Sequence, residues 1–214
     1  STRIPATDKP RDVEAARKDM FAVKENNHLW INSWFTDPMI LGKYPEDGLR
    51  VFGQDAPKFT AAEMKTIRQP LDFFGVNTYS GSVVRAGARG AEPVKGPDGP
   101  PLTTMGWRVH PDCLYWGPRF FYERYGLPIV MTENGMANGD WVHLDGKVHD
   151  PQRIDFTSRY LAAFRRAIRD GVKGLGYFYW SIMDNFEWGH GYKQRFGLVH
   201  VDYATQQRTV KVSG

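Results

Sequence analysis

The sequence predicts an α/β fold of parallel strands flanked by helices, and only part of a closed barrel. Segments with helical spacing alternate with short apolar runs rich in β-formers, in the order helix, strand, helix, strand, helix, strand, as in right-handed βαβ units. Each apolar run also ends in polar side chains, and in parallel α/β folds the carboxyl ends of the strands form the active face. About three such strands are present, where a (β/α)8 barrel needs eight, and three left open would expose two edges and a bare inner face.

Taken in order, residues 10–25 place Val13, Ala16, Met20 and Val23 at helical spacing, with Thr7 or Asp8 as a cap and Pro10 in the first turn. WINSWFTDPMILGKYPE, 30–46, carries Pro38, Gly42 and Pro45 and is expected to break into irregular turns. LDFFGVNTYS, 71–80, reads as a strand, apolar through Val76 and then polar at Asn77, Thr78 and Tyr79. AGARGAEPVKGPDGPPLTT, 86–104, is dense in Gly and Pro and reads as a long surface loop. A helix is expected from Pro118 to Tyr125, and Gly126 leads into the strand LPIVMTE. Asp150-Pro151 starts another helix, with Ile154, Leu161, Phe164 and Ile168 on one face and Gly171 as its stop, before the strand VKGLGYFYWSI, 172–182. The stretch 195–209 predicts a strand pair around a turn near Ala204 and Thr205. Residues 1–214 are expected to form one partial barrel domain.

The formal charge is 28 − 24 = +4, spread along the chain without a basic run, which argues against a nucleic-acid partner. Cys113 is the lone cysteine, so no intrachain disulfide can form. No run approaches the ~18 apolar residues of a membrane span, and the first residues lack the apolar core of a signal peptide, so no membrane partner and a cytoplasmic location are expected. The loop-like start at Ser1 suggests a missing upstream segment. His28, His110, His143, His149, His190 and His200 form no H-x-x-x-H pair, no Gly-rich phosphate loop follows a strand, and Ser181 lacks a nucleophile-elbow context. Neither a metal nor another cofactor is expected.

The strand ends carry Asn77 and Tyr79, then Glu133 and Asn134, then Trp180 and Ser181 followed by Asp184, Asn185, Glu187 and Trp188. Each has a bland reading alone. Glu133 would be a solvated acid beside an Asn-Gly turn, Trp180 and Trp188 would be core aromatics, and Asn77 and Tyr79 ordinary strand-end residues. Gathered on one face, carboxylates, amides and indoles are what a sugar site needs: acids for the glycosidic bond, polar groups for hydroxyls and flat apolar faces for the ring.

PIVMTENG, GYFYWSIMDNFEWGHGYKQRFGLVHVDYATQQRT, DFFGVNTYS and WFTDPMILGKYP together resemble the retaining β-glycosidases of glycoside hydrolase family 1, from about Pro10 to the end of the chain. The resemblance implies the carboxy-terminal part of a (β/α)8 barrel, completed by an amino-terminal portion. It makes Glu133 the nucleophile, Tyr79 its hydrogen-bond donor, Asn77 a residue facing the sugar and Trp180 the platform beneath it. Glu187 and Trp188 would read distal hydroxyls, and Trp107 and Phe196 would line the aglycone side. Read from the residues alone, Glu187 could also supply the second carboxyl of a retaining mechanism. Three departures stand out. Arg108 and Asp112 replace an acid and a Glu, which could shift leaving-group preference; the chain stops before a last outer helix; and the Asn-Glu-Pro strand end bearing the acid/base is absent. The substrate would be a β-glycoside, and the chain alone is expected to be nearly inactive. The competing expectation is a noncatalytic carbohydrate-binding remnant.

Overall fold

The computed structural model describes residues 2–24 and 31–214. Glu25, His28 and Trp30 lie outside the described residues. The elements are β1 (Thr2–Pro5), α1 (Pro10–Phe21), α2 (Asn32–Leu41), α3 (Glu46–Phe52), α4 (Ala61–Ile67), β2 (Phe74–Asn77), β3 (Gly81–Gly87), β4 (Gly90–Pro93), α5 (Cys113–Tyr125), β5 (Ile129–Asn134), α6 (Pro151–Arg169), β6 (Gly174–Tyr179), β7 (Val199–Val201) and β8 (Arg208–Val210).

The sheet that positions the candidate site is β2-β5-β6, parallel throughout. Its middle strand, β5, buries Ile129 and Met131 against the helical layer and Val130 on the opposite side, the two-sided burial expected of a central parallel strand. Leu114, Phe120 and Phe121 of α5 and Phe156, Tyr160 and Phe164 of α6 join Phe74, Ile129 and Met131 in one core. Away from Val130 the other face is largely exposed. Phe73 lies beside Gly75 and Thr132, Phe178 lies beside Gly176 and Val130, and Phe178 is 62% exposed. Among the described residues the sheet has three strands and no barrel closes. A second sheet, β1-β3-β4, joins a parallel pair to a hairpin, and β7-β8 is the antiparallel pair expected around residues 204 and 205.

Several boundaries differ from the sequence expectation. Neither Thr7 nor Asp8 caps α1: the N-cap is Lys9 without a side-chain bond, and the Thr7 hydroxyl donates to Asp12 at 2.6 Å. Residues 32–41 form a helix with Pro38 inside it rather than irregular turns. Tertiary bonds offset the one a proline cannot donate. Buried Asp37 accepts from Arg124 Nε at 2.9 Å and Tyr125 Oη at 2.7 Å, and the Ser33 hydroxyl donates to the Phe21 carbonyl at 2.5 Å. Likewise α5 begins at Cys113, five residues before Pro118, because Cys113 through Gly117 are all buried. The start of the 86–104 loop is the β3-β4 hairpin. On α6 the buried stripe is Arg153, Phe156, Tyr160, Ala163, Phe164 and Ala167, while Ile154, Leu161 and Ile168 are exposed.

Candidate active site

Register puts the strand ends side by side: Asn77 pairs with Glu133, and Asn134 with Tyr179. Just past the end of β2, the Tyr79 hydroxyl donates to Glu133 Oε2 at 2.7 Å. Burial, then this bond, then the charges of Glu133 and Glu187 push the Tyr79 hydroxyl well above its ordinary pKa, so it stays a donor. The Tyr79 ring lies 5.1 Å from Trp107 and 6.0 Å from Phe196, and those two rings lie 6.1 Å apart. Four of the sequence-predicted residues, Glu133, Tyr79, Trp107 and Phe196, are therefore in one linked cluster. Two of the four, Tyr79 and Trp107, also line a pocket of about 470 Å³ together with Asn77, Ser80, Thr2 and Arg3.

The remaining four are arranged more loosely. Asn77 is exposed, and its Oδ1 accepts from the Thr132 hydroxyl at 2.7 Å. Trp180 is half-buried at the end of β6 and its backbone N–H donates to the Asn134 carbonyl at 2.8 Å. Glu187 and Trp188 follow on a tight turn in which Glu187 N–H donates to the Gly191 carbonyl. Trp188 has a left-handed φ of 37° and is 83% exposed. Arg108 and Asp112 are engaged elsewhere: the Arg108 guanidinium lies against Gly96, and Asp112 pairs with Arg166 at 2.7 Å.

Asn134-Gly135 is not the left-handed turn the dipeptide suggests, since Gly135 does not have a positive φ. A Cβ at Gly135 would stand 1.9 Å from the Trp180 carbonyl oxygen, so glycine is required by close backbone approach. Asn134 is fully buried: its Nδ2 donates to the Thr78 carbonyl at 2.7 Å and its Oδ1 accepts from Tyr177 Oη at 2.8 Å. It bolts the ends of all three strands together.

Sequence reasoning missed a buried charge network behind the loops that follow β5 and β6. Lys211 Nζ donates to Asp140 Oδ2 at 2.6 Å and to Asp184 Oδ1 at 2.8 Å. Arg153 pairs with Asp140 at 2.5 Å and with Asp150, and Arg195 pairs with Asp184 at 2.6 Å. Three cations thus face three carboxylates. Burial alone would raise the Asp140 pKa, but the bonds from Arg153 and Lys211 hold it below its usual value. Asp184 also accepts from Gly197 N–H at 2.9 Å and Arg153 donates to the Arg195 carbonyl at 2.9 Å, which together hold the backbone on either side of Phe196. The sequence signal was slight: three aspartates in loops and one lysine between two valines.

The profile of glycosyl hydrolase family 1 matches residues 2–214. The chain belongs to that family. It is 40% identical over 221 residues to beta-glucosidase A of Thermotoga maritima, covering 98% of this chain and 46% of that protein. It is also 40% identical over 217 residues to a beta-glucosidase of Agrobacterium sp., covering 99% and 45%. The solved family 1 β-glucosidase from Thermotoga maritima superposes with a TM-score of 0.79 at 37% identity, covering all of this chain and 47% of that one. Its complex with glucoimidazole gives 0.80 at 38%, with the same coverage. The chain spans about half the length of the relatives it matches, and its fold is the carboxy-terminal part of a (β/α)8 barrel.

Proposed function

We propose that the protein is a retaining β-glycosidase of the β-glucosidase type in which Glu133 is the nucleophile. The observation that carries this reading is the 2.7 Å bond from the half-buried Tyr79 to Glu133 Oε2, at the carboxyl end of the middle strand and beside the Trp107 and Phe196 rings. The phenol occupies one carboxylate oxygen and leaves the other to react. Glu133 Oε1 attacks the anomeric carbon as its bond to the leaving oxygen breaks, and an acid group protonates that oxygen. Water then attacks the glycosyl ester, giving its proton to the same group and releasing Glu133.

The two carboxyl groups of a retaining site stand about 5–5.5 Å apart. Glu187 acts on Tyr79 through its charge, and in this reading it binds sugar hydroxyls together with Trp188, while Asn77 faces the ring above Trp180. The acid/base comes from an amino-terminal half-barrel. That partner would pair with β2 and β6, the edge strands among the described residues, and cover Phe73 and Phe178, which suits a matching chain length of about half that of the relatives. Loss of a positioned acid costs ~10²–10⁴-fold in rate. Hydrolysis of an aryl β-glucoside is therefore expected to be near background for this chain and to rise by that factor when the half-barrel is supplied. Full turnover by the chain alone would move the acid role to Glu187. Sugar binding without turnover in the completed protein would favour the noncatalytic reading.

A further inference from the structure

We propose that Tyr160 is a positioning residue for the nucleophile: its hydroxyl fastens the backbone that carries Tyr79 to the loop that carries Trp107, and thereby aims Tyr79 at Glu133. The inference rests on the glycosidase reading above for its purpose, although its geometry does not. Tyr160 stands on the core face of α6 and is fully buried, stacked on Phe156 with centroids 3.8 Å apart. Its Oη donates to the Tyr79 carbonyl at 3.2 Å and accepts from the His110 N–H at 2.8 Å. Residues 79 and 110 belong to separate segments, and no other described side chain bonds to both.

A phenol suits this task because one rigid ring supplies both a donor and an acceptor at its tip. Two backbone groups that would otherwise lie unpaired behind the site are satisfied by that single atom. Tyr79 is then held twice, by Tyr160 on its backbone and by Glu133 on its hydroxyl, with the Trp107 ring packed against it. A shift of Tyr79 by a fraction of an ångström would lengthen the 2.7 Å bond at once, since hydrogen bonds weaken steeply off their preferred geometry. Among the described residues no hydrogen bond joins Tyr160 to Glu133, so its effect passes through Tyr79.

The test is NMR on the full chain carrying ¹³C-labelled glutamate, with the Glu133 carboxyl signal assigned by its loss in Glu133→Gln. Tyr79→Phe removes the donor and sets the reference displacement of that signal. Tyr160→Phe keeps the ring and removes only the hydroxyl. It is expected to move the Glu133 signal the same way and to speed exchange of the His110 amide by about tenfold. Phe164→Leu, on the same buried stripe, is expected to leave the signal in place. A Glu133 signal unchanged in Tyr160→Phe, with His110 exchange accelerated, would reduce Tyr160 to a core residue and overturn the proposal. Should that variant not fold, the unaltered chain decides: the His110 amide and the Tyr79 hydroxyl proton should share one opening equilibrium, with protection agreeing within about threefold. A Tyr79 hydroxyl still protected while His110 exchanges freely would overturn it. None of these signals requires turnover, so failure of the glycosidase reading would be seen separately.

Discussion

The two walls of the candidate site are built in opposite ways. On the side of Glu133, Tyr79, Trp107 and Phe196, each group is held by a hydrogen bond, a ring contact or backbone pinned by buried charges. On the side of Glu187 and Trp188, a short turn carries the residues outward and Trp188 is largely in solvent. The first wall completes itself from segments of this chain. The second is exposed, like the inner face of the sheet at Phe73 and Phe178. Substitutions should therefore cost stability on the first wall and very little on the second.

The largest effect is expected at Lys211. Lys211→Ala leaves Asp140 and Asp184 short of a buried cation and should lower unfolding stability in urea by on the order of 3–5 kcal/mol. Next is Gly135→Ala, which sets a methyl 1.9 Å from the Trp180 carbonyl oxygen. Forcing the two strand ends apart should cost about 1–3 kcal/mol and shift Trp180 fluorescence. A smaller, graded effect follows from His110 and His200, both held below the ordinary histidine pKa by burial and by the nearby cations Arg108 and Arg195 respectively. As pH falls past about 6.5 the unfolded chain takes up these protons first, so stability is greatest above that pH and declines below it. His200→Gln should make the decline shallower in melts taken between pH 7 and 5. The smallest effect belongs to the second wall: Trp188→Ala should change stability by no more than about 0.5 kcal/mol. A large loss there would show that the Glu187 turn is packed after all.

What could be read from the sequence was whatever local chemistry decides. β5 and β6 follow from apolar runs, and the β7-β8 turn from Asp202, whose Oδ1 accepts from the Ala204 and Thr205 amides. α4 was legible but passed over, since Thr60 and Glu63 form a capping box. The helix around Pro38 and the part of α5 before Pro118 were not legible, because distant burial and the Asp37 bonds override a proline's local preference. Lys211 reverses the usual pattern, buried while Val210 and Val212 face solvent, and only carboxylates far away in sequence explain it. The pairing of Glu133 with Tyr79 crosses 54 residues, so no spacing rule could supply it. It came from the resemblance of whole motifs, whereas the Asn-Gly dipeptide misled as a turn signal.

The most direct test of the central claim is to trap the glycosyl ester. The chain, supplied with the proposed amino-terminal half-barrel, would be treated with a 2-fluoro aryl β-glucoside, digested and mapped by mass spectrometry. The account predicts one glycosyl adduct, on Glu133. An adduct on Glu187, or unlabelled Glu133 in a protein that turns over the parent glucoside, would contradict it.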